Sequence, residues 1–145
     1  MFKLQATERL TRWRDFRKSL EDLPLEKAVQ ATVDFWQSCP FSPYYLDPND
    51  PNSWPNPWTL IEENYYCDLA KALGMLYTIH FTKHQPEVEL RVYIDPETRY
   101  QYNLVWIDGG KYVINLIEGD VVNKQLTDNL KLKVKYAEEL KLNSY

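Results

Sequence analysis

Residues 58–94, WTLIEENYYCDLAKALGMLYTIHFTKHQPEVELRVYI, change their period partway along. Trp58, Ile61, Tyr65, Leu69 and Ala72 or Leu73 return at helical spacing, while Glu62, Glu63, Asp68 and Lys71 fall on other faces. Pro57 suits the opening of such a helix and Gly74 suits its end, so the pattern predicts a helix from Trp58 to about Leu73. After Gly74 the period drops to two. The runs at 76–82, 88–94, 101–107 and 111–117 read as strands, and Val88, Leu90, Val92 and Ile94 share one face of the second. Asp108-Gly109-Gly110 between two of these runs is a hairpin signal. Leu130, Leu132 and Val134 alternate with three lysines, which predicts a fifth strand or a sheet-edge element. Helices followed by strands define an α+β fold with an antiparallel sheet of four to five strands.

Upstream, residues 7–20 and 23–37 read as a helical hairpin, with Thr7 and Asp22 as caps and Pro24 in the second helix's first turn. Between it and the Pro57 helix lies CPFSPYYLDPNDPNSWPNPW, residues 39–58, which holds six of the nine prolines and no glycine. Fixed φ angles and missing N–H donors exclude regular helix or a central strand and make this a stiff arm. The 145 residues therefore divide, within one domain, into a hairpin (1–37), an arm (38–57) and a helix-plus-sheet unit (58–145).

Net charge is −4, which argues against a nucleic-acid-binding role, and no apolar run approaches the roughly 18 residues needed to span a bilayer. Residues 1–18 carry six bases against two acids, and residues 19–63 carry eight acids against one base. Such opposed patches suit a subunit that docks on neighbours. Tyr44, Tyr45, Trp54 and Trp58 are the candidate anchors, because rings on a proline-stiffened arm bury area at low entropic cost. Arg9, Arg12, Arg14 and Arg17 form the candidate polar contact set.

Titratable groups give a thinner signal. Two cysteines, Cys39 and Cys67, suit a reduced chain rather than a disulfide scaffold. His80 and His84 lack a third soft ligand in sequence reach, DPNDPN lacks the glycine and glutamate of a calcium loop, and no glycine-rich phosphate loop is present; neither metal nor cofactor is expected. Cys67, on a helix that leads into a sheet, resembles the nucleophile of transglutaminase-like and papain-like thiol enzymes. That resemblance implies a cysteine at a helix N-terminus and a histidine on a following strand. Counted from Trp58, Cys67 lies two turns into its helix, and Asn103 stands where the histidine belongs. His80 and His84 remain as alternative bases.

The run Trp54-Pro55-Asn56-Pro57-Trp58-Thr59-Leu60-Ile61, with Gly110-Lys111-Tyr112-Val113-Ile114-Asn115, resembles small uncharacterised proteins of contractile-tailed phages, including cyanophages. It spans about residues 54–123 and implies a virion protein made in the host cytoplasm. The sequence thus leads to a non-enzymatic tail, baseplate or neck subunit, oligomeric in an assembly with other virion proteins. Two alternatives stand beside it: a small Cys67-dependent enzyme, and a cytoplasmic phage protein that binds a host protein.

Overall fold

The computed structural model describes residues 1–43 and 46–142. Its helices are α1 (Ala6–Ser19), α2 (Leu25–Trp36), α3 (Pro57–Glu63) and α4 (Asp68–His80). The strands are β1 (Val88–Ile94), β2 (Gln101–Ile107), β3 (Tyr112–Ile114) and β4 (Lys131–Tyr136), antiparallel in the order β3-β2-β1-β4. The α+β architecture is the one the periodicity defines.

The principal difference falls at residues 64–82. The single helix expected from Trp58 to Leu73 is two helices, because Asn64 ends α3 in the left-handed region (φ 60°). Asparagine tolerates that conformation, and its N–H closes the turn on the Leu60 carbonyl. A new helix then starts after Cys67 and runs through Gly74 to His80, so the expected strand at 76–82 is helix. Gly74 is not an end signal. Its missing Cβ makes room for the Trp36 ring, whose nearest carbon would lie 2.3 Å from an added methyl. Every residue from Ala72 to Ile79 is buried, and a helix apolar on all sides carries no 3.6-residue period to read. The 111–117 run pairs only over Tyr112–Ile114, whereas β1, β2 and the Asp108–Gly110 hairpin fall where expected.

The helices cover one face of the sheet. α1 packs on α3, α2 on α4, and α4 on β1 and β2. At the centre, Thr78 on α4 accepts hydrogen bonds from the indole N–H groups of both Trp13 (2.9 Å) and Trp36 (3.0 Å), and donates to the Gly74 carbonyl (2.6 Å). Both indoles and the threonine are buried, so this hydroxyl sets how α1 and α2 sit on α4. Phe16 on α1 stacks on Phe35 of α2 at 4.0 Å, and Phe2 packs against Trp36 and Tyr66. The other face of the sheet carries a smaller cluster around Tyr93, Leu104, Trp106 and Val113. There the Arg91 guanidinium lies 4.0 Å over the Trp106 ring.

The proline arm folds onto this body. Asn56 caps α3 by accepting from the Thr59 N–H (2.8 Å). Trp54 is buried edge-on against Tyr136 and donates to the Asp47 carbonyl, while the Tyr136 hydroxyl donates to Pro48 O. Ser42 N–H donates to Tyr66 O, which lays the start of the arm beside the segment that precedes α4.

His80 closes α4 with its Nδ1 buried and without a hydrogen-bond partner. Burial holds the imidazole below its ordinary pKa and outweighs a hydrogen bond with the Leu142 backbone. The unfolded chain takes up a proton near the ordinary value of about 6.5, and the folded chain does so only at lower pH. Stability from this site is therefore present above that value and is lost as the pH falls through it. Thermal melts at pH 7.5 and 5.5 are expected to differ less for His80→Gln than for the parent; an equal difference would remove His80 as the cause.

Candidate functional site

The break at Asn64 changes the position of Cys67. It is not two turns inside a helix but the N-cap of α4, and its own side chain makes no capping hydrogen bond. The first-turn N–H groups and the helix dipole make the position suited to developing negative charge. The Cys67 side chain lies at the wall of a cleft of about 300 Å³. Phe41, Leu46 and Pro48 from the arm, Leu69 from α4 and Tyr100 before β2 form its apolar walls. Phe41 and Tyr100 are exposed at the rim.

The polar wall is Asp68, Gln101 and Asn103. Asn103 on β2 donates its Nδ2 to Asp68 Oδ2 at 2.9 Å. Asn115, just beyond β3, donates to Asp68 Oδ1 (3.3 Å) and to the Asn103 backbone carbonyl (2.9 Å). The Asp68 contact settles which end of the Asn103 amide is which, because the reverse orientation would set a carbonyl against a carboxylate. It leaves Asn103 Oδ1 buried with no partner, on a residue only 6% exposed. A buried unmatched acceptor costs about 1–3 kcal/mol.

Neither histidine reaches this site. His80 ends the helix that Cys67 begins, about 20 Å away along its axis. His84 Nε2 lies 3.0 Å from the Leu20 carbonyl. The bases expected for a Cys67 enzyme are thus excluded by distance, and the amide at 103 occupies the nearby strand. Cys39, half-buried, has its thiol pKa pushed up, chiefly by burial.

The expected docking residues lie elsewhere. Arg9 donates to the carbonyls of Ile61 (3.0 Å) and Glu62 (2.6 Å) and to that of Leu4, so it caps the end of α3. Arg17 lies over the rings of Trp13 (4.1 Å) and Trp58 (5.4 Å), and burial lowers its pKa. Trp58 is half-buried beside it, and Trp54 is in the core. Arg12 and Arg14 are exposed, with Arg14 3.5 Å from Asp15. Tyr44 and Tyr45 lie outside the described residues. Cys67 and Asn103 stand out in the sequence; Asp68 and Asn115 do not, because the contacts that join them to the site cross 35 and 47 positions.

The site is a cysteine opening a helix that packs on an antiparallel sheet, with polar residues of the next strands beside it. Solved structures share the fold. The chain superposes on Legionella pneumophila LapG with a TM-score of 0.67 at 12% identity, covering 92% of this chain and 76% of that one. For the calcium-bound form the TM-score is 0.68 at 12% identity, with 94% and 78% covered. For the EGTA-treated form it is 0.65 at 13% identity, with 90% and 73% covered. No protein-family model and no curated protein matches the sequence. The chain shares the fold of LapG, and this likeness stands against the expectation of a non-enzyme. No link to phage proteins is shown.

Among the described residues no group of three or more His, Cys, Asp or Glu side chains is placed to hold a metal, and both Asp68 oxygens are taken by asparagine amides. Among the same residues no helix is long and apolar enough to cross a membrane.

Proposed function

We propose that the chain is a thiol-dependent enzyme in which Cys67 is the nucleophile. The observation that supports it most is the placement of Cys67 at the N-terminus of α4, in a cleft with a buried unpaired acceptor. The thiolate is the attacking form of cysteine, and a helix N-terminus favours the oxyanion formed when it adds to a carbonyl. Asp68, clamped by Asn103 and Asn115, fixes the first turn of α4 against β2 and the end of β3. Phe41, Leu46 and Tyr100 supply the contact surface for an apolar acyl group.

p-Nitrophenyl acetate tests this reading. The native protein is expected to release one equivalent of p-nitrophenolate in a burst and to gain one acetyl group, mapped to Cys67. Cys67→Ser should abolish the burst while keeping the melting temperature. Acetylation confined to lysines, or none, would contradict the assignment.

A further inference from the structure

Resting on Cys67 as nucleophile, we propose that the site transfers acyl groups between thiols, and that its substrates are thioesters rather than amides. The warrant lies in what surrounds the sulfur. Cleaving an amide requires a group that gives a proton to the departing amine, and a histidine ordinarily fills that role. Here the residue on the adjacent strand is Asn103, whose Nδ2 protons are engaged on Asp68 and whose Oδ1 has none to give. Both Asp68 oxygens already accept hydrogen bonds from Asn103 and Asn115. His80 and His84 are at the far end of α4 and beyond it. A thiolate, by contrast, departs unprotonated, since its conjugate acid has a pKa of about 8.5.

The step balances without a further reagent. The Cys67 thiolate adds to the thioester carbonyl, the oxyanion forms near the first-turn N–H groups of α4, and the carbon–sulfur bond to the leaving thiol breaks. The products are an acyl thioester on Cys67 and a free thiolate. A second thiolate reverses the sequence, takes the acyl group and restores Cys67. Water is a poor acceptor because, among the described residues, no histidine is placed to remove its proton, so the acylated form persists until a thiol arrives. A disulfide would engage the thiol equally but has no carbonyl oxygen for the helix N-terminus. The apolar walls of Phe41, Leu46 and Tyr100 favour a bulky apolar side chain on the acyl group.

The probes are the thiobenzyl ester and the p-nitroanilide of N-acetylphenylalanine, with intact-mass detection. The thioester is expected to add one acyl group to Cys67 and release one equivalent of benzyl thiol. Cysteamine should then discharge the adduct at least tenfold faster than buffer, and the anilide should give neither adduct nor nitroaniline. Anilide turnover at a comparable rate, or discharge by water as fast as by cysteamine, would overturn the thiol-transfer assignment and leave the nucleophile in place. A protein that gives a p-nitrophenyl acetate burst but no thioester adduct would overturn it as well. Failure of both acyl donors would remove the nucleophile itself.

Discussion

Thr78→Val is expected to destabilise the protein by about 3–5 kcal/mol, the largest loss from any near-isosteric change in the core. One hydroxyl accepts from two buried indoles and donates to the Gly74 carbonyl, so its whole hydrogen-bonding capacity is in use. Valine keeps the shape and removes both acceptor sites. Trp13 and Trp36 are then left with buried N–H groups, each costing about 1–3 kcal/mol. Total stability of a domain this size is on the order of 5–15 kcal/mol, so the variant would approach unfolding at 37 °C. Thr78→Ser retains the hydroxyl and loses one methyl, at about 1 kcal/mol. Urea titration of the three proteins measures the difference, and a valine penalty below 1 kcal/mol would mean that the indoles have other acceptors.

The second large effect is a gain. Asn103→His is expected to give hydrolysis of N-acetylphenylalanine p-nitroanilide at least about a hundredfold above the detection limit that the parent does not reach, the lower end of what a positioned acid–base group contributes. Position 103 lines the cleft beside Cys67, and Asp68 is already in hydrogen-bond contact with it and would orient the imidazole. Circular dichroism should stay unchanged, and adding Cys67→Ser should cancel the gain. An Asn103→His protein that folds and shows no anilide turnover would mean that residue 103 does not reach the reacting sulfur.

The parts legible in the sequence were those with a period. β1 alternates because one face meets the helices and the other a thinner cluster, and Asp108-Gly109-Gly110 carries the positive φ angles its turn uses. α4 was misread because it is buried nearly all round and its only punctuation, Gly74, serves a close approach by Trp36 from a distant element. Read as one helix, α3 and α4 put Cys67 in the interior, two turns from the helix N-terminus and its dipole. Asn64, a residue suited to the left-handed turn, was the signal that separates the two helices. Asn103 was recognised as standing in a histidine's place, and the structure adds why the arrangement holds together: Asp68 takes two asparagine amides, from β2 and from the end of β3. Nothing local in the sequence announces that trio, because the contacts join residues 35 and 47 positions apart.

The arm likewise divides between what composition shows and what packing decides. Proline density made it stiff, but whether Trp54 faced solvent depended on Tyr136 at the far end of the chain. Its packing builds one wall of the cleft from Phe41, Leu46 and Pro48, so the arm is part of the Cys67 site.

The most direct test of this account is the rate of Cys67 alkylation by iodoacetamide in native Cys39→Ser protein, compared with the same protein in denaturant at the same pH. A nucleophile set at a helix N-terminus in a cleft is expected to react faster folded than unfolded. A thiol that is silent until the protein unfolds would contradict the account and leave Cys67 as a packing residue.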